Sequence, residues 1–429
     1  MTFARQSLGS LAVLVFGLTV SILLPRVLGA EARGEYQLAV KLAGLVLAVA
    51  QWGIPEVLLQ LIGERRSGMG ALLGTSLALG LGGAAVTAGA VGLFTPLLQG
   101  NVLRGVEPLL LALTLGGSLA ALIGLLARRF VQLDGKLAVY NGLDVARTVL
   151  FLLLIVGGAA VAPRQAIVPT LAWLTGEVVL ALAACVYVAR RIAPLATWTF
   201  QGKLARELAT AGAPIQLGLL AMFIGSEGGA FVLNANLDIA SVGVYSVGLS
   251  IARLVLQVSM ALRTALQPRL VGSEADSAAI SARVTRHGLL WMLVAAIVLA
   301  LGSPLVPLIF TSEFAAAAPV LVLLLPGMVA YGVWQLLAGH LLRIGRRGFL
   351  AVTACVFALA SIGLQAIGIQ TMGLAGAALG LTGAYLLAMV VVLVGFVRAS
   401  GRSWRELLPM PGDLAFYVGL TRRALATHG

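Results

Sequence analysis

Charged and aromatic residues are scarce in this sequence. Only 10% of its 429 residues are charged and 6% are aromatic, whereas 60% are hydrophobic and the mean hydropathy is +1.03. Soluble domains carry about 25% charged residues and about 45–50% apolar residues. The low charge content therefore excludes an ordinary soluble globular domain. It predicts an all-α polytopic membrane protein, because a spanning helix needs about 20 mostly apolar residues.

Cysteine and histidine are also rare. The two cysteines, Cys185 and Cys355, lie in apolar runs, which argues against a disulfide framework or a zinc site. The three histidines have no metal-ligand spacing relative to the cysteines, and no phosphate-binding loop or dinucleotide motif is present. We therefore expect no cofactor, no bound metal and no enzymatic activity.

Acidic residues are fewer than basic ones, and their deficit gives a formal net charge of +13. With the N-terminus in the cytoplasm, twenty-two lysines and arginines, Arg147 included, are assigned to the cytoplasmic side. Four are assigned to the outer side, namely Arg26, Arg33, Arg104 and Arg164. This bias predicts a multi-pass protein with both termini cytoplasmic. The excess charge thus indicates topology and contact with anionic membrane lipids rather than a nucleic-acid partner.

The apolar runs divide into about twelve predicted spans, with no room for a separate soluble domain. The predicted spans are 7–28, 36–62, 69–94, 108–127, 139–160, 167–189, 208–235, 242–266, 287–310, 316–341, 348–370 and 373–397. Six spans in each half would make both halves enter the membrane in the same direction. Such a parallel repeat predicts two six-helix bundles around a central cavity.

The two halves repeat a short pattern. An offset of 209 aligns Gly34 with Gly243 and Tyr36 with Tyr245, each followed by an apolar helix. Near the fourth and tenth spans, a Leu-Leu-Ala run before a basic turn repeats at an offset of 211. The predicted organisation is an N-terminal bundle at 1–195, a cytoplasmic linker at 196–208, a C-terminal bundle at 209–398 and a cytoplasmic tail at 399–429. The linker is expected to be either an amphipathic segment at the interface or a solvated loop.

Two cations lie at related positions inside apolar helices. At 3.6 residues per turn, Lys41 shares a helix face with Gln37, Gly44, Ala48, Gln51 and Pro55. The corresponding face of the second copy carries Arg253 with Ser246, Ser250, Gln257, Met260 and Thr264. Because a charge near the bilayer centre is costly outside a hydrated interior, we expect Lys41 and Arg253 to point into the central cavity. The alternative is that each side chain extends to the membrane surface, more readily for Lys41.

Three further charged residues are candidates for the site. Glu177 and Glu227 lie near the middle of the sixth and seventh spans, where each could bind a coupling ion or proton, or pair with a buried arginine. Arg26 follows Pro25 at the outer end of the first span. It would either extend the positive field at the cavity mouth or contact lipid headgroups.

Several segments resemble the polysaccharide flippases of the multidrug/oligosaccharidyl-lipid/polysaccharide exporter superfamily. They are "LPRVLGAEARGEYQLA", "NANLDIASVGVYSVGLSIARLV", "PLIFTSEFAAAAPVLVLLL" and "GLAGAALGLTGAYLL". The resemblance implies alternating access and a polyprenyl-pyrophosphate-linked oligosaccharide as cargo, flipped across a bacterial inner membrane for cell-surface polysaccharide synthesis. It also implies polysaccharide polymerase machinery as a candidate partner. Arg253, Lys41, Gln257 and Arg26 would then bind the cargo.

Two other functions fit the sequence. A drug or metabolite antiporter of the same superfamily would expel organic cations, although a net positive cavity disfavours cations. The other is a non-transporting scaffold of a polysaccharide synthase, but that function would not explain why Arg253 lies deep in the bilayer. Lipid II flippases, which usually have fourteen spans, are disfavoured because this chain has room for twelve.

Overall fold

The computed structural model describes residues 2–63, 68–266 and 274–409, with side chains at 16–58, 68–262 and 277–409. The described residues form α-helices joined by short turns. In chain order the helices are α1 (Thr2–Ala50), α2 (Ile54–Gly63), α3 (Met69–Gln99), α4 (Pro108–Leu133), α5 (Leu137–Val161), α6 (Ile167–Arg191), α7 (Gly202–Glu227), α8 (Gly229–Asn236), α9 (Ile239–Ala252), α10 (Val255–Leu266), α11 (Glu274–Gly302), α12 (Val306–Phe310), α13 (Ala317–Arg343) and α14 (Arg347–Ser400).

Two of these helices are too long to be single membrane spans. At 1.5 Å per residue, the 54 residues of α14 would extend about 80 Å, far beyond the roughly 30 Å of a hydrocarbon core. Gly373, with φ 57°, interrupts α14, and Gly29, with φ 75°, interrupts α1. Beyond Gly373 the chain returns antiparallel, since the backbones of Gly368 and Gly376 lie in contact. The predicted boundary between the last two spans, at 370 and 373, therefore falls at a real reversal.

The described helices give twelve spans in all, as the sequence predicts. Eight helices are long and apolar enough to cross a membrane, and a ninth span is the α9–α10 pair, bent by 42°. The reversal inside α14 adds one more, and α1 with α2 provides the first two on either side of Gly29. The all-α fold with twelve spans is thus confirmed.

The turns after α4 and α13 are built alike. Gly135 and Gly345 adopt φ of 74° and 77°, which lets the chain leave each helix in a left-handed conformation. The following residue then donates its N–H to a carbonyl five residues earlier, Lys136 to Val131 at 3.2 Å and Arg346 to Leu341 at 2.9 Å. The two turns match at an offset of 210, one less than the 211 that the Leu-Leu-Ala runs indicate. This shared hydrogen-bond pattern supports the predicted duplication.

The crossing of α1 and α9 joins the two halves of the chain. A Cβ atom added to Gly34 would collide with the carbonyl oxygen of Ile239, and one added to Gly243 would collide with that of Ala30. The two contacts are equivalent in the repeat, because the offset of 209 relates Gly34 to Gly243 and Ala30 to Ile239. The helices can approach this closely only because both residues are glycine. The repeated glycine noted in the sequence therefore marks the contact between the halves.

Polar contacts hold the halves together at the end that the charge bias predicts to be outer. Asn234 donates to the carbonyls of Val102 and Arg104 at 3.1 and 2.9 Å. Glu313 accepts from the backbone N–H of Ala30 at 3.1 Å and pairs with Arg164 at 3.2 Å. These contacts close the space between the halves at the outer end.

At the opposite end, α7 packs against the break between α1 and α2. The Gln216 amide donates to the carbonyl of Ala48 and accepts from the backbone N–H of Gly53 at 3.0 Å. The Trp52 indole N–H donates to the carbonyl of Ala209 at 3.1 Å. Buried Gln216 thus satisfies backbone groups that the interrupted helix leaves free.

The predicted linker segment contains a short turn and the start of a helix. Residues Leu195–Thr197 form a 3-10 turn, and α7 begins at Gly202, within the segment 196–208. The Trp198 indole N–H donates to the carbonyl of Ala193 at 2.9 Å, and the Gln201 backbone N–H donates to the Thr75 hydroxyl at 3.1 Å. The segment therefore packs against α3. The division into bundles at 1–195 and 209–398 and a tail at 399–429 stays a prediction, and the tail beyond residue 409 lies outside the described residues.

Candidate functional site

Three charged residues from different helices meet between the two halves. Lys41 lies in the part of α1 that follows Gly29, Glu227 is the last residue of α7, and Arg253 follows the last residue of α9. The Lys41 ammonium contacts Oε2 of Glu227, and Nη2 of Arg253 lies 2.5 Å from Oε1. We call these residues the interface cluster. With two cations and one carboxylate, it carries one net positive charge.

Helix breaks position two members of the interface cluster. Glu227 precedes Gly228, where α7 gives way to α8, and Arg253 lies in the break between α9 and α10. The predicted span 242–266 is present but bent at this point, because Leu254 and Gln257 make i to i−3 hydrogen bonds of 3.0 and 3.1 Å instead of α-helical ones. Interrupted helices near the middle of a bundle bring backbone ends and charges to a common point. A cation at the C-terminal end of α9 is also favoured by the helix dipole.

Burial differs among the three side chains of the cluster. The Lys41 side chain is 11% exposed, that of Glu227 is 17% exposed, and that of Arg253 is 37% exposed. Arg253 also donates from Nη2 to the carbonyl of Ser226 at 3.5 Å. Glu227 is thus enclosed by the two cations, whereas Arg253 keeps part of its guanidinium open.

A small pocket adjoins the interface cluster. Its volume is about 20 Å³, room for about one water molecule in this conformation, and it is lined by Gln37, Lys41, Ala230, Val242, Tyr245, Ser246, Leu249, Ser250 and Arg253. The two polar faces that the sequence predicts therefore converge here, with Gln37 and Lys41 on α1 opposite Ser246, Ser250 and Arg253. The Tyr245 hydroxyl is buried and has no hydrogen-bond partner among the described residues. Such an atom is costly to bury unless a ligand or water satisfies it.

Three of the predicted site residues lie outside the cluster. Gln257 is exposed on α10 and does not line the pocket. Arg26 is exposed on α1, three residues before the interruption at Gly29, and donates to the carbonyl of Leu308 in α12 at 3.4 Å. Glu177 lies in α6 within the N-terminal half and pairs with Arg147 at 2.7 Å. Their predicted roles in cargo binding or ion coupling stay predictions.

A second group of charges lies inside the N-terminal half. Arg128 of α4 pairs with Asp144 of α5, Arg147 lies 4.0 Å from the same carboxylate, and Arg147 also pairs with Glu177 of α6. We call these four residues the bundle network. Its two arginines and two carboxylates balance in charge. The sequence count placed Arg147 on the cytoplasmic side, but it lies inside α5, where Glu177 and Asp144 compensate its charge.

The described residues offer no metal site. No three histidine, cysteine, aspartate or glutamate side chains come together there as metal ligands. Cys185 and Cys355 are free thiols on α6 and α14.

The fold is that of known transporters. No protein-family model and no curated protein sequence matches the chain. Among solved structures, the lipid II flippase MurJ in an inward closed conformation is similar with 14% identity, a TM-score of 0.72, and coverage of 92% of this chain and 89% of that one. An inward-facing multidrug resistance MATE family transporter of the MOP superfamily is similar with 15% identity, a TM-score of 0.65 and coverage of 92% and 94%.

A third similar structure comes from Pyrococcus furiosus. It is a MOP superfamily transporter described by the reverse polarity of its binding pocket, with 12% identity, a TM-score of 0.59 and coverage of 93% and 95%. At these identities the likeness concerns the fold. The resemblance to flippases of this superfamily that the sequence suggests is thereby confirmed at the level of the fold, since the chain shares the fold of these transporters.

Proposed function

We propose that this protein flips a lipid-linked oligosaccharide across the membrane by alternating access, with the pyrophosphate of the cargo bound by Arg253 and Lys41. The observation that carries the proposal is the interface cluster, which places a net positive charge between the two halves. A charge at this depth is costly unless it serves a hydrated pathway or a partner. A guanidinium with free N–H groups is well suited to bind phosphate oxygens.

The architecture supports movement of such a cargo. The pocket lies where α1 of one half meets α9 of the other, so a change in the angle between the halves would expose it to one side or the other. The lipid tail could remain in the bilayer while the charged headgroup occupies the pocket. The MurJ structure, which shares the fold, is that of a lipid II flippase.

We place the protein in a bacterial inner membrane with both termini in the cytoplasm. The support is the positive-inside bias of the loops. In this orientation the Gly135 and Gly345 turns face the cytoplasm, and polysaccharide polymerase machinery would receive the flipped cargo outside. Single cysteines at Lys136 and Arg346 should react with a membrane-impermeant maleimide only after the cells are opened, whereas labelling of intact cells would contradict the orientation.

The decisive test is Arg253→Ala. Its matched control is Arg346→Ala, which removes an exposed arginine from a turn on the same half. We expect Arg253→Ala to lose export of the surface polysaccharide, because the phosphate contact is gone, while Arg346→Ala exports normally. Polymer at the surface and variant protein in the membrane would both be measured. Normal export by a folded, inserted Arg253→Ala protein would contradict the proposal.

An ion-coupled antiporter for organic cations is the second candidate. The observation in its favour is the Glu227 carboxylate in the interface cluster, together with the multidrug transporters that share the fold. Efflux of a cationic dye such as rhodamine 6G separates the two functions. An antiporter would lose efflux in Glu227→Gln and keep it in Arg253→Ala, whereas a flippase would show no dye efflux in either background.

A further inference from the structure

We propose that Glu227 is an internal counter-anion that the headgroup of the cargo displaces, and that its displacement releases a tie between the two halves. This inference rests on the proposed function for the anionic nature of the cargo. It assigns Glu227 a positioning role, in which the residue competes with the cargo for the two cations.

The geometry of the carboxylate resembles that of a bound ligand. Each of its oxygens is used by a different cation, Oε2 by Lys41 and Oε1 by Arg253. A phosphate group likewise offers several oxygens on one centre, so it can contact both cations in the same way. Glu227 therefore occupies the place that an anionic headgroup would need.

Arg253 gives an incoming anion a first point of contact. Among the described residues, all hydrogen bonds of its guanidinium come from Nη2, and its side chain is 37% exposed. The Nε and Nη1 groups thus make no hydrogen bond to the described residues, and Arg253 lines the pocket together with Tyr245, whose hydroxyl is unpartnered there. An anion can engage these donors before any contact with Glu227 is broken. Displacement can then proceed by exchange, without leaving a buried cation bare.

The position of Glu227 makes its replacement feasible. Its side chain is 17% exposed, so the charge of the carboxylate is largely removed from water and the two cations compensate for this cost. Once they bind another anion, the attraction that holds Glu227 in place is reduced while the cost of burying its charge remains.

Displacement has a consequence for the two halves. Lys41 belongs to the N-terminal half, whereas Glu227 and Arg253 belong to the C-terminal half, so the Lys41–Glu227 pair spans the interface. The Arg164–Glu313 pair at the outer end also spans it. Breaking the Lys41–Glu227 pair thus removes one direct bond between the halves near the middle of the membrane. Binding of the cargo would in this way be coupled to their rearrangement.

The test measures binding of soluble probes, inorganic pyrophosphate and farnesyl pyrophosphate, to the purified full-length protein by calorimetry. We expect Glu227→Gln to bind both probes at least about tenfold more tightly than wild type, because the competitor is gone. Its melting temperature should be lower without ligand and should rise more on adding pyrophosphate, since two neighbouring cations then lack a counter-ion. The matched control, Glu177→Gln, should bind the probes like wild type. A purely structural Glu227 would give equal or weaker binding.

A second variant and a second measurement cover poor folding of Glu227→Gln. Glu227→Asp keeps the charge on a shorter side chain that engages the two cations less well, so it should also bind more tightly than wild type. Spin labels at Lys136→Cys and Arg346→Cys, in a background without Cys185 and Cys355, report the separation of the halves. Pyrophosphate should change the distance between the labels in wild type. In Glu227→Gln the same change in distance should be present without pyrophosphate.

The outcomes separate this inference from the proposed function. In one outcome, wild type binds the probes, Arg253→Ala does not, and the Glu227 variants bind no more tightly than wild type. The phosphate site is then right, and only the displacement of Glu227 is wrong. If neither wild type nor Glu227→Gln binds either probe, the phosphate site itself is wrong and displacement falls with it. If binding leaves the distance between the spin labels unchanged, the proposal that displacement releases the tie between the halves is wrong.

Discussion

The interface cluster and the bundle network contain the same kinds of side chain but differ in charge balance and in place. The bundle network has two arginines and two carboxylates, all within α4, α5 and α6. The interface cluster has two cations and one carboxylate, and its members come from both halves. A balanced network inside one bundle can satisfy itself, whereas the cluster between the two halves has one positive charge in excess, which we propose to bind an anion. Charge balance and location together, rather than burial alone, distinguish a structural site from a binding site.

The largest expected effect on stability concerns the bundle network. Arg147→Ala would leave the Glu177 carboxylate, whose side chain is 8% exposed, without its partner. Loss of one member of a buried ion pair costs about 3–5 kcal/mol, and we expect about 3 kcal/mol here because the Arg147 side chain is 35% exposed. Unfolding in detergent, followed by tryptophan fluorescence, would measure the loss.

A double variant provides the control for this prediction. Arg147→Met combined with Glu177→Leu removes both charges and should recover most of the stability, because no uncompensated carboxylate remains. The Arg253→Ala protein should lose far less stability than Arg147→Ala, since Lys41 still neutralises Glu227. Equal losses for Arg147→Ala and Arg253→Ala would remove the distinction between the two regions.

An intermediate effect is expected at the crossing of the two halves. Gly243→Ala places a methyl group against the carbonyl of Ala30, so the helices must separate at a cost of about 1–3 kcal/mol. The separation would disturb the interface cluster and leave the bundle network unchanged. Spin labels across the outer end should report a longer distance, and pyrophosphate binding should weaken.

Gly363→Ala is the matched control for the crossing. A Cβ atom there meets no neighbouring atom, and the residue lies inside a helix like Gly243. It should stabilise the protein slightly or leave it unchanged, because alanine is the better helix former. If Gly243→Ala behaves like Gly363→Ala, the close approach of α1 and α9 is not needed for the site.

The sequence predicts the overall fold and part of the site because both depend on regular spacing. Twelve apolar runs give the spans, and the offset of 209 identifies the glycines of the crossing and aligns the two polar faces. Those faces are visible because a cation within an apolar helix stands out. The offset of 209 relates Lys41 to Ser250 and Arg253 to Gly44, so the repeat brings the two faces together without making the two cations equivalent.

Other features of the site depend on tertiary contacts that carry little local signal. No proline or glycine lies at the break at Arg253, so the sequence there predicts a continuous helix. Arg147 was counted with the basic residues of the cytoplasmic side, and nothing in the sequence indicates that Glu177 pairs with it from another helix. Nothing in the sequence distinguishes Gln216 from other polar residues, because its role depends on the carbonyl of Ala48, which is distant in the chain and contacts it only in the folded protein.

The smallest expected effect tests the unpartnered hydroxyl of the pocket. Tyr245→Phe removes a buried donor that has no partner among the described residues, so stability should stay the same or rise slightly. Binding of pyrophosphate should weaken by about tenfold, the lower end of the value of one hydrogen bond to a charged group. Tyr36→Phe is the matched change at the repeat-related position, which does not line the pocket, and it should leave binding unchanged. A loss of affinity only in Tyr245→Phe would show that the two halves, despite their common pattern, contribute unequally to the site. Equal affinities in both variants would instead mean that the Tyr245 hydroxyl does not reach the ligand.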